Sequence, residues 1–136
     1  MSSAAGLGPL NVVSYSPGVC NIGPAEIARR RLAGHLGLAV PMVVFAALVV
    51  AGAPHWTRLV LVVPAGGSAS GYLQAWFHFC AGFGSRGIYN FGPLGTVQEV
   101  ADPQARARDR ARSLRIGLSS LAIGVVVAVV AALLPL

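Results

Sequence analysis

Three long apolar stretches, joined by short connectors rich in glycine, proline and arginine, set the plan of this chain. The first, residues 32–56, follows Arg29, Arg30 and Arg31 and closes on Pro54, His55 and Trp56. Its apolar part of about 20 residues is long enough to cross a bilayer as a helix. The helix is expected to start earlier, near Pro24: Gly23 precedes it and Glu26 falls in the first turn, where a carboxylate faces the positive end of the dipole. Pro41 lies mid-stretch and is expected to kink the helix, because it removes one backbone hydrogen bond.

The second stretch, residues 59–84, is irregular in pattern. Pro64, Gly66, Gly67, Ser68, Ser70 and Gly71 interrupt it before an aromatic helix resumes from Tyr72 to Phe83. Irregular backbone at membrane depth needs neighbouring helices or a wet cavity to satisfy it. Three readings follow: close helix packing through the small pair Gly67 and Gly71, a broken helix whose amides bind a ligand, or a re-entrant segment. The third stretch, residues 116–136, is valine-rich, with Ser120 and Gly124 as a second small packing surface. Asp102 and Pro103 read as the cap and first position of a helix that continues through the basic residues into this span.

The expected fold is therefore an all-α integral membrane protein with three transmembrane helices. Residues 1–23 form an N-terminal segment, 24–56 the helix that enters and crosses, 57–84 the irregular second span, 85–102 a loop, and 103–136 a basic helix continuous with the third span. Residues 1–20 lack the basic start and apolar core of a cleavable signal. Cys20 after Gly18 and Val19 has no apolar region before it, so a lipoprotein site is set aside.

Composition agrees: 55% of residues are hydrophobic and 10% charged, too apolar for a surface facing water. The formal charge of +6 is carried by arginine alone, with no lysine, a bias expected of a GC-rich bacterial genome. Under three spans, Arg29–Arg31, Arg86, Arg106, Arg108, Arg110, Arg112 and Arg115 all fall on one side and only Arg58 on the other. The positive-inside bias makes that side cytoplasmic, with the N-terminus in and the C-terminus out, in a bacterial inner membrane. Arg86, Arg106, Arg108, Arg110, Arg112 and Arg115 are the expected contacts for anionic lipid, and nucleic acid is not an expected partner. Arginine at every second position points around the helix, which predicts a diffuse field and no single groove.

Several chemistries are excluded. Without lysine there is neither an ordinary P-loop nor a Schiff-base nucleophile. Glu26, Glu99, Asp102 and Asp109 all lie outside the spans, against proton-coupled antiport. The run from Gly66 to Gly71 lacks the glycines of a nucleophile elbow, and His78 is about 12 Å along a helix from Ser70. The most chemically loaded segment runs from Gly71 to Cys80. Gln74 and His78, four apart, are expected to share a helical face. They either bond neighbouring helices or bind a cofactor: a haem b with His35 and His78 as axial ligands, a quinone head group, or a metal held by Cys20, Cys80 and His78. A haem bridging His35 and His78 would have to absorb a depth mismatch of about 6 Å. The leading expectation is a small non-enzymatic subunit or assembly factor, packing against itself or a larger membrane complex. The alternative is a redox or ligand-binding subunit using His78, Gln74 and Cys80.

Overall fold

The computed structural model describes residues 14–136, which are mostly helical; residues 1–13, part of the segment read for a signal, lie outside the described residues. In chain order the elements are α1 (Pro24–Val50), a 3-10 turn (His55–Leu61), α2 (Val62–Phe77), α3 (Ala81–Arg86), β1 (Ile88–Tyr89), β2 (Gln98–Glu99) and α4 (Pro103–Leu133). The chain divides into two compact units, each assembled from separated stretches. The first takes the residues up to Arg29 with Gln74–Leu114, the second Arg30–Leu73 with Arg115–Leu136.

Local chemistry explains the boundaries. Pro24 opens α1, and the Gly23 carbonyl accepts the first helical bond, from Ile27 at 2.9 Å. α1 passes through Pro41 without interruption and stops at Gly52, whose φ of 65° is the left-handed cap geometry. Asp102 caps α4 through Oδ2, which accepts from the Ala105 amide at 3.2 Å. The expected irregularity at Pro64–Gly71 is absent: α2 is regular there. Pro64 falls in the first turn, where a missing amide costs least, and Gly66 and Gly71 after it are used for close packing. The break comes later, at His78–Cys80.

In the second unit the helices meet through small residues. A Cβ on Gly71 would lie 2.7 Å from the Gly34 amide nitrogen, and one on Gly124 would lie 2.5 Å from the Val62 carbonyl and 3.0 Å from Gly66 N. Gly66 in turn faces the Ser120 carbonyl, while Ser120 Oγ bonds back to Ile116 O within its own helix at 2.8 Å. Gly67 faces open space, so the packing runs through Gly71 and not through the pair. Ser68 Oγ donates to Gly34 O at 2.9 Å. Leu61, Ala128 and Ala131 form the buried cluster near one end.

Large apolar side chains point the other way. Leu36, Met42, Val43 and Val50 on α1, and Leu118, Leu121, Val126 and Leu133 on α4, are exposed, while Ser120, Gly124, Ala128 and Ala131 are buried. α1 and α4 are long and apolar enough to cross a membrane, and only 11% and 28% of their apolar windows are buried. A core helix of a water-soluble protein shows the opposite distribution, with its large side chains inside. α2, at 16 residues, does not reach the length of the other two.

In the first unit α3 falls at the end of the stretch expected as the second span, and the expected loop, residues 85–102, holds a short antiparallel ladder, Ile88 opposite Glu99 and Tyr89 opposite Gln98. Its core is Ile22, Cys80 and Phe83, with Ile27 and Ile88 packed against it.

Candidate functional site

The residues with the most chemistry in the first unit surround Asn21 and Asn90. Gly23 allows this segment to lie against another: a Cβ there would come within 2.8 Å of the Phe91 backbone. Ile22 consequently pairs with Asn90 in a parallel bridge. The Asn21 side chain forms a reciprocal pair with Cys80, accepting from its amide at 2.6 Å and donating to its carbonyl at 3.1 Å. The Asn21 amide also donates to His78 O at 3.1 Å. Asn90 Nδ2 donates to Glu26 Oε2 at 3.0 Å and Pro93 O at 2.9 Å, and its Oδ1 accepts from Gly92 N and Thr96 Oγ1. Asn21, Glu26 and Asn90 are all buried. A buried polar set with this many partners fixes chain geometry, since each lost partner would strand a buried donor or acceptor.

Gln74 and His78 do not form one inward stripe. α2 ends at Phe77, and His78 takes a left-handed conformation, φ 54°. The Phe79 amide then reaches back to Gln74 O at 3.0 Å, the closing bond of a Schellman cap. Gln74 Oε1 accepts from the Ala81 amide at 2.9 Å, holding the start of α3. The His78 ring is turned out and exposed, while its carbonyl serves the Asn21 contact. Gln74 thus serves the chain itself, and its side chain is engaged.

The proposed metal ligands are likewise used structurally. Cys80 Sγ accepts from the Phe83 amide at 3.4 Å and caps α3. Cys20 Sγ donates to Ile22 O at 3.8 Å, and burial pushes its thiol pKa up, which keeps it a poor ligand and nucleophile at neutral pH. Among the described residues neither cysteine is in a disulfide, and no three of His, Cys, Asp and Glu come together as a metal site. His35, read as a haem partner, lies in the second unit with its Nδ1 2.7 Å from Tyr72 OH.

Two buried ionic groups escaped the sequence reading. Asp109 faces inward: its Oδ2 accepts from Tyr15 OH at 2.7 Å and its Oδ1 from the Gly18 amide at 2.8 Å. Burial, and then the bond to Asp109 and its negative charge, push the Tyr15 phenol well above its ordinary value. In the second unit Arg58, only 1% exposed, donates through Nη1 to Ala131 O and Leu134 O and through Nη2 to Leu136 O, at 2.7–3.0 Å. It also lies over the Phe45 ring. A cation there satisfies the orphaned carbonyls and the negative dipole end of α4. The spacing signal was Asp109 at four from Ala105 and Ser113 on a small-residue face; nothing in the sequence linked Arg58 to the distant carbonyls.

The arginines read as lipid contacts divide. Arg86 Nε donates to Gly82 O at 3.3 Å with its guanidinium over Phe83, and Arg106 Nε donates to Val100 O. Arg112 lies over Phe77 at 4.5 Å, and Arg108, Arg110 and Arg115 are exposed. The second unit also holds an open apolar groove of about 630 Å³, lined by Pro41, Phe45, Ala65, Tyr72, Val127 and Val130 among others. No protein-family model, curated protein or solved structure matches the chain.

Proposed function

We propose that this chain is a small integral membrane protein of three membrane-crossing segments, N-terminus in and C-terminus out. Its proposed role is that of a non-enzymatic subunit or assembly factor of a larger or homo-oligomeric complex in a bacterial inner membrane. The observation that carries the reading is the side-chain distribution of α1 and α4: most of their large apolar side chains are exposed, while Gly34 on α1 and Ser120, Gly124, Ala128 and Ala131 on α4 are buried. Water would not tolerate so much exposed leucine and valine along two continuous helices, whereas lipid does. The middle segment is α2 with the 3-10 turn leading into it, which together cover His55–Phe77. The open groove supports the subunit reading, as a concave apolar face of that kind can receive a further helix.

The polar residues support a structural assignment over catalysis. Asn21, Gln74, Cys80 and Asn90 each hold a main-chain group of the same unit. The test is membrane fractionation followed by absorption spectroscopy and metal analysis of the purified protein. The expected result is resistance to alkaline extraction, no Soret band and no stoichiometric metal. Recovery in the soluble fraction would overturn the membrane reading, and a Soret band or bound metal would overturn the non-enzymatic one in favour of a redox subunit.

A further inference from the structure

We propose that Arg112, stacked on Phe77, and Arg108, one helical turn before it, form a discrete site for the phosphate of an anionic phospholipid. The proposal rests on the membrane reading above and names the lipid contact of the same basic helix. Asp109 and Ser113 mark the buried side of α4 here. At 100° per residue, Arg108 and Arg112 lie together on one flank of that side, and Arg106 and Arg110 on the other. The alternating arginines are thus sorted by what packs beneath them, which replaces the expected diffuse ring.

The arginines of this unit differ in what they hold. Arg106 and Arg86 donate Nε to main-chain carbonyls. Asp109, the carboxylate within this run, is turned inward onto Tyr15 and Gly18 and makes no ion pair with these arginines among the described residues. The Arg112 guanidinium carbon lies 4.5 Å over the Phe77 ring, and Arg112 Nε is buried with no acceptor among the described residues. The ring contact restricts the guanidinium at low entropic cost, and the Nη side of such a fork is matched to phosphate oxygens. Arg108 is exposed and adds a second positive charge on the same flank. Trp76, 80% exposed, immediately precedes Phe77. An exposed tryptophan belongs at the level of lipid head groups, and such apolar ground next to Phe77 favours a lipid phosphate over a free anion.

The test compares single variants of equal charge. The full chain is purified, and its binding to vesicles or nanodiscs of phosphatidylglycerol and of phosphatidylcholine is measured. Arg112→Gln is expected to weaken binding of the anionic lipid about tenfold, the usual worth of a lost charge-assisted hydrogen bond. Arg110→Gln removes the same charge and is expected to change binding less than about twofold, because an exposed charge acts only through the screened field. Phe77→Leu keeps every charge and is expected to fall between the two, which guards against Arg112→Gln failing to fold. Equal effects of the Arg110 and Arg112 variants in a membrane-bound protein would overturn the site and leave the membrane reading standing. Displacement of the lipid by millimolar inorganic phosphate would overturn the assignment to lipid.

Discussion

His78 sits in a backbone conformation that costs an ordinary L-residue on the order of 1 kcal/mol, and among the described residues its exposed ring bonds nothing that would hold it there. His78→Gly is therefore expected to raise stability by about 0.5 kcal/mol or more in thermal unfolding, the glycine relieving the strain at the cap. A histidine serving as a ligand would give the opposite result, loss of the bound group with loss of stability. Tyr15 gives a second residue-scale expectation. Its folded pKa is raised, so the folded state holds the phenolic proton more tightly than the unfolded chain does. The stabilisation is complete below the ordinary phenol value near pH 10 and is lost as pH rises above it. Denaturant titrations at increasing alkaline pH should show stability falling in the native protein and a flatter profile in Tyr15→Phe. These residues were poorly legible in the sequence. Asn21 and Asn90 stand in conspicuous runs, Cys20 to Pro24 and Tyr89 to Pro93, but their partners lie 59 and 64 positions away, and local pattern carries no such pairing.

The helices were legible where local chemistry sets them. Gly23-Pro24 and Asp102-Pro103 are start signals because the fixed proline φ and the capping oxygen act within one turn. The end of α2 was not, since a left-handed histidine carries no sequence signal, and Pro64 reads as a breaker until it is known to fall in a first turn. The glycines of α2 separate in the same way, because equal residues meet unequal surroundings. Gly71→Ala would drive a Cβ into Gly34 and Arg30 O, so helix separation and a loss of about 1–3 kcal/mol are expected. Gly67→Ala meets nothing and gains helix propensity, so stability should rise by up to about 1 kcal/mol. Thermal unfolding in one detergent checks both, and matched losses would contradict the packing described for α2.

At the scale of the molecule, orientation is a sum of charges, as the positive-inside bias counts arginines near the span ends. Replacing Arg106, Arg108, Arg110 and Arg112 together by glutamine should shift dual-reporter signals at the two termini more than any single replacement does. Two cytoplasmic signals from the unaltered chain would mean that His55–Phe77 does not cross. The division into units bears on how such reporters must be placed. The first unit closes on itself across 94 positions, from Tyr15 to Asp109. During synthesis the contacts of Tyr15 and Gly18 therefore stay unmade until Asp109 has left the ribosome. Any reporter fused to a chain truncated before Asp109 follows a protein whose first unit was never completed. Reporters carried by a chain that extends past Leu114 follow one whose first unit has all its stretches.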